Sequence, residues 1–202
     1  EDLQTVRSFK IRGAYHTISL LDPEERARGV VCASAGNHAQ GVAYSCSLMG
    51  IQGKIFMPTT TPRQKINQVK HFGGSQVEVI LSGDTYDDSY QQAIEYCEKH
   101  QMAFIHPFDD YRTIVGQGTI GLEIINDMDQ KLDYLFMAVG GGGLASGVGS
   151  YIKSIQPNCK IIGAEPEGAP CMKKSILEGK LVYLEKINKF VDGAALHQAG
   201  QL

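Results

Sequence analysis

Residues 29–48, GVVCASAGNHAQGVAYSCSL, carry the pattern that decides the fold. Gly29-Val30-Val31-Cys32-Ala33 is a short apolar run closed by Ser34-Ala35-Gly36-Asn37-His38, after which small and apolar residues continue at helical spacing to Leu48. That order reads as strand, loop, helix. The same signals recur in both directions along the chain. Residues 54–57 predict a strand, and Thr61-Pro62-Arg63-Gln64 has the form of a capping box with Pro at the first helical position, opening a helix that ends at Gly73-Gly74. Residues 77–81 predict a third strand, and Tyr86, Tyr90, Ala93, Ile94 and Cys97 then line one face of a helix, the two tyrosines reading as core. A fourth strand is expected over 102–106, a helix over 111–126, and a strand over 134–139 that enters Gly140-Gly141-Gly142-Gly143. A helix to about residue 155, a strand over 160–164 and a helix over 170–177 follow. Strands alternating with helices require crossover connections, so the fold class is α/β with a parallel sheet and helices on its faces.

The composition excludes several classes of function. Nineteen Lys+Arg against 22 Asp+Glu give a formal charge of −3, without the block of like charge that a nucleic-acid or lipid surface attracts. The apolar run at 134–139 is far short of the roughly 18 residues of a membrane span, and Glu1-Asp2 is no signal peptide, so the expectation is a cytoplasmic protein. Cys32, Cys46, Cys97, Cys159 and Cys171 are odd in number and form no CxxC pair, which argues against a disulfide frame or a zinc site. Glycine is in excess, with 23 residues, and clusters in two loops.

Both loops follow a strand and open a helix, the place where an open parallel sheet binds ligands and where free amides favour an anion. Gly140 to Gly143, followed by Leu144, can fold tightly and turn several amides toward one phosphate. Ser34-Ala35-Gly36-Asn37-His38 combines a hydroxyl, an amide side chain and backbone N–H groups, a mixture suited to a carboxylate beside a ring substituent. A rival reading takes Gly140, Gly142 and Ala145 as G-x-G-x-x-A, with Glu165 ending the next strand, which is a dinucleotide fingerprint. Against it, at least four strands precede the motif and few residues follow Glu165.

Three ordered motifs, Ser8-Phe9-Lys10-Ile11-Arg12-Gly13-Ala14, then SAGNHAQG over 34–41, then Gly140 to Leu144, resemble the fold-type II pyridoxal-phosphate enzymes and, within them, the threonine dehydratases. Glu1-Asp2-Leu3-Gln4, Glu165-Pro166 and Val191-Asp192-Gly193 extend the likeness over nearly the whole chain. The resemblance implies a cofactor, pyridoxal 5'-phosphate, joined to Lys10 as a Schiff base, with Phe9 against its ring, Asn37 on its 3-hydroxyl, and Gly140, Gly141, Gly142, Gly143 and Leu144 around its phosphate. Ser34, Ala35, Gly36, Asn37 and His38 would hold the amino-acid carboxylate. The implied reaction removes the β-hydroxyl of L-threonine, or of L-serine, to give a 2-oxo acid and ammonia, in isoleucine biosynthesis or in amino-acid degradation.

Related serine racemases place an acid–base serine at position 35, where this chain has Ala35, and bind a divalent cation through a glutamate and an aspartate, where it has Glu165 and Cys171. Elimination is therefore favoured over racemisation, and no metal is expected. The resemblance further implies a homo-oligomer, dimer or tetramer. It also implies two lobes, with residues 30–110 in the smaller lobe and 1–29 and 111–202 in an incomplete larger one. Such enzymes are longer at both ends, so the chain reads as a fragment, without the residue that meets the pyridine nitrogen. The alternatives are a serine racemase or serine dehydratase of the same family, a non-catalytic fragment, and a dinucleotide-binding module. His38 caps its helix or touches substrate; His16, His71, His100, His106 and His197 read as surface or packing residues, and Asp87-Asp88 and Asp109-Asp110 as solvated faces.

Overall fold

The computed structural model describes residues 1–202, which divide into two compact units, Glu1–Pro107 and Phe108–Leu202. The first unit is built on four parallel strands in the order β3-β2-β1-β4: β1 (Val30–Ala33), β2 (Gly53–Met57), β3 (Val77–Leu81) and β4 (Ala103–Phe104). Val30 pairs with Gly53 on one side and with Ala103 on the other, which places β1 at the centre. All four of its residues are fully buried. The period of two along a strand then divides the core. Val30 and Cys32 join Ile55, Met57, Val42 and Cys46 on one face, beneath α1 (Lys10–Ser19), α3 (Asn37–Met49) and α4 (Arg63–Gly73). Val31 and Ala33 join Phe56, Ala93 and Cys97 on the other, beneath α5 (Tyr86–His100). A short helix, α2 (Pro23–Arg28), leads into β1; Asp22 and Glu25 form its capping box and Pro23 stands in its first turn.

Several local expectations are corrected. Thr61 does not cap α4: its hydroxyl is buried without a partner, and the helix starts one residue later with Pro62 at the N-cap. The Thr61 amide closes a turn onto the Pro58 carbonyl, which holds the residue outside the helix. β4 is only two residues long. Tyr86 is not core but 39% exposed, while Tyr90 meets the Phe104 ring edge-on with centroids 5.5 Å apart. Asp87 and Asp88 are exposed, as expected of a solvated face, and Asp88 in addition exchanges hydrogen bonds with Thr85 in the capping box of α5.

The second unit contains α6 (Tyr111–Asp127), β5 (Tyr134–Ala138), α7 (Gly143–Ile155), β6 (Lys160–Ala164) and α8 (Cys171–Glu178). β5 and β6 pair in parallel, from Tyr134 opposite Lys160 to Ala138 opposite Ala164. Met137, Val148, Ile152 and Cys159 form the core between strands and helices, with Ile120, Ile124 and Leu135 packed on it. The Asp109-Asp110 pair also departs from expectation. Asp110 caps α6 through the amides of Arg112 and Thr113 and bonds the Arg112 guanidinium at 2.9 Å, whereas Asp109 accepts from the amides of Gln201 and Leu202 at 3.0 Å. Burial alone would raise the Asp110 carboxyl, but these donors outweigh it and hold it below the usual range. All five cysteines are buried and unbridged. No helix is long and apolar enough to cross a membrane.

Candidate active site

In the first unit the site begins where α1 begins. Phe9 is the N-cap, offers no capping side chain, and is followed at once by Lys10. The Lys10 Nζ donates to the Pro107 carbonyl at 2.8 Å and lies 5.4 Å from the centre of the Phe9 ring. Burial makes the ammonium form costly and lowers the pKa of the amine to about 8, with no carboxylate offsetting the cost. A larger fraction of the amine is therefore a free base near neutral pH than for a solvated lysine.

Beside it, β1 runs into Ser34, and α3 opens with Gly36 at the N-cap. Ser34 accepts from the Gly36 amide at 3.2 Å, and no side chain caps α3. The amides of Asn37, His38 and Ala39 lie in a first turn that has no intrahelical carbonyl to meet. A Cβ on Gly36 would meet nothing within 4 Å, so the chain is open to approach there. Gly41, one turn on, is the opposite case: a Cβ would sit 3.1 Å from the Lys10 carbonyl, so α3 rests on the Lys10 backbone. The His38 ring points into the protein, with Nε2 2.8 Å from the Ile105 carbonyl. Burial, and then the charge of Lys10, lower its pKa to about 3, so the ring is neutral. Ala35 packs against the core cluster.

In the second unit, Gly140 to Gly143 connects β5 to α7. Gly142 is the N-cap of α7 with φ +99°, a conformation that favours glycine, and no side chain caps the helix. A Cβ on Gly140 would lie 3.1 Å from Ala194 Cα, one on Gly141 would overlap the Phe108 ring, and one on Gly143 would come to 2.8 Å of the Phe108 carbonyl. Protein atoms thus fill the side where Cβ atoms would stand. The amides of Gly143, Leu144 and Ala145 have no intrahelical acceptor, and Leu144 packs on the unit's core. Glu165, the glutamate of the metal comparison, accepts from the Met172 and Lys173 amides at 2.8 Å and so caps α8, while the Cys171 thiol is buried and its pKa raised.

Lys10, Phe9 and Ser34 to His38 thus fall in one compact unit, and Gly140 to Leu144 in the other. Reading by residue type did not find Pro107, Ile105, Phe108 or Ala194. The first two act through backbone carbonyls, which carry no signature in sequence, and the other two are remote from the glycines they constrain.

The model of the family described as pyridoxal-phosphate dependent enzyme matches residues 1–202. A biosynthetic L-threonine dehydratase of Halalkalibacterium halodurans is 65% identical over 202 residues, all of this chain and 49% of that protein, so the chain spans about half the length of such a relative. The structure of the processed form of threonine deaminase isoform 2 from Solanum lycopersicum superposes with a TM-score of 0.95 at 48% identity, covering all of this chain and 57% of that one. Maize serine racemase superposes at 0.93 with 36% identity, covering all of this chain and 60% of that one. The chain belongs to the pyridoxal-phosphate dependent enzymes.

Proposed function

We propose that the full-length protein containing this chain deaminates L-threonine to 2-oxobutanoate and ammonia, and acts on L-serine in the same way. The observation that carries this reading is Lys10: a buried amine with no carboxylate partner, lying against the first turns of α3. The residues present fit the cofactor. The Lys10 amine suits its aldehyde, and the uncapped start of α7, where only glycines are tolerated, suits its phosphate. Phe9 and Asn37 would hold its ring. When bound, pyridoxal phosphate supplies an electron sink for the charge left on the substrate's Cα.

The chain's own residues do the rest. Ser34 and the free amides of α3 bind the carboxylate and fix which Cα bond faces the base; the Gly36 amide is already engaged by Ser34. With the cofactor bound, the Lys10 amine would take the Cα proton, and the low proton affinity conferred by burial keeps it available as a base. Ala35 has no proton to deliver to the opposite face, which supports elimination over racemisation. The identity to biosynthetic L-threonine dehydratases supports L-threonine as the substrate and isoleucine formation as the setting. A cytoplasmic homo-oligomer belongs to the same proposal.

The likeness to maize serine racemase favours a second reading. The full-length protein supplied with pyridoxal phosphate separates the two when 2-oxo acid and D-serine are both measured. Release of 2-oxobutanoate from L-threonine without D-serine from L-serine is expected. D-serine as the main product would establish the second reading, and no product from either amino acid would leave a non-catalytic protein.

A further inference from the structure

We propose that His38 is a positioning residue for the Lys10 amine, an assignment that rests on the reading of Lys10 given above. His38 is the second residue of α3 and only 3% exposed. A carbonyl can only accept, so the 2.8 Å contact with Ile105 assigns the ring proton to Nε2 and leaves Nδ1, which has no partner, as an acceptor. The Ile105 amide in turn donates to the Val31 carbonyl of β1 at 2.8 Å. Two residues further on, the Pro107 carbonyl receives the Lys10 Nζ at 2.8 Å. Residues 105–107 are therefore tied to α3 by the His38 ring and to α1 by the Lys10 side chain.

The circuit closes through the backbone. Gly41 lies one turn beyond His38 in the same helix, and its Cβ position is 3.1 Å from the carbonyl carbon and oxygen of Lys10 and from the Ile11 amide. The path runs from the Lys10 backbone through α3 to His38, across to Ile105, along to Pro107 and back to Nζ. Apart from the part-buried Lys10 side chain that closes the path, each link is a backbone group or a buried ring. Between the two carbonyls the His106 ring lies edge-on to Tyr90, at 6.5 Å between centroids, which further restricts the segment. Removing the His38 donor leaves the Ile105 carbonyl unmatched and frees Pro107, the resting point of the amine, to shift. α3 also carries the open amides at Asn37 and His38, so one ring links the carboxylate-binding turn to the base.

Two substitutions in the full-length protein separate positioning from simple packing. His38→Gln carries an amide to about the place of Nε2, whereas His38→Asn ends near Nδ1, short of Ile105. The readouts are the rate at which the apoprotein captures pyridoxal phosphate, followed by the growth of visible absorbance, and kcat and KM for L-threonine. His38→Asn is expected to slow capture and lower kcat on the order of tenfold or more, the scale of a displaced reacting group, with KM changed less than about threefold. His38→Gln is expected to stay within about threefold of the parent protein in both rates. Two variants that behave alike, both intact, both slowed or both unfolded, overturn the assignment. A parent protein that captures no cofactor through Lys10 overturns the reading of Lys10 instead, and the role of His38 with it.

Discussion

Replacing Lys10 with alanine in the full-length protein is expected to abolish turnover of L-threonine, by about three orders of magnitude or more, the scale of a positioned acid–base group. The same change should remove the visible absorbance of the covalently held cofactor. The His38 ring, whose proton affinity is lowered by burial and then by the charge of Lys10, is committed to the Ile105 carbonyl. Lys10→Arg is the informative companion, since it keeps a cation that cannot lose its proton, and it should be as inactive as the alanine variant. In the parent protein, capture of the cofactor aldehyde should rise with pH and level off above about 8, where the buried amine has lost its proton. A solvated lysine would continue to gain reactivity to about pH 10. Turnover by Lys10→Ala within tenfold of the parent rate would remove the residue from the chemistry.

The largest effect on stability is expected at Gly147, where α7 crosses α6. A Cβ there would overlap the Ile114 carbonyl oxygen and lie 2.8 Å from the Gly118 amide, and across the crossing a Cβ on Gly118 would be 3.1 Å from the Gly147 carbonyl. The helices meet backbone to backbone, and backbone cannot rotate out of the way as a side chain can. Alanine in place of glycine favours a helix by roughly 1 kcal/mol. Overpacking a close contact costs about 1–3 kcal/mol, occasionally more. The overlap with main-chain atoms places Gly147→Ala at the upper end, so a net loss of about 2 kcal/mol is expected in denaturant unfolding. Gly149→Ala, two residues along the same helix, meets only Ile161 side-chain carbons at 3.9 and 4.0 Å and should be neutral or slightly stabilising. Equal midpoints for the two variants would show that the crossing is looser than its geometry.

The sheet was the most legible part of the fold, because β1, β2, β3, β5 and β6 are short apolar runs bounded by turn residues. β4 proved shorter than its apolar run suggests, because the Ile105 carbonyl is engaged by His38 rather than by the neighbouring strand. α1 carries no entry signal, since Phe9 has no side-chain acceptor to offer the first turn. α2 is announced by Asp22-Pro23-Glu24-Glu25 but is only six residues long, too brief for periodicity to register. Thr61-Pro62-Arg63-Gln64 shows the reverse, a local signal overridden by a turn.

At the site, the motifs marked where ligand groups could bind, but not what shapes the loops. Gly141 must be glycine because of Phe108, 33 positions earlier, and Gly140 is closely bounded by Ala194, 54 positions later. Such contacts join elements that only the folded chain brings together. The carbonyls of Ile105 and Pro107 are harder still to foresee, because every residue has one and only the fold selects which accept a buried imidazole and a buried amine.

We propose that Lys10 is the amine that takes up pyridoxal phosphate. A crystal structure of the full-length protein with the cofactor bound tests this most directly. Electron density continuous with Lys10 Nζ is the expected result, and a cofactor joined to another lysine would contradict it.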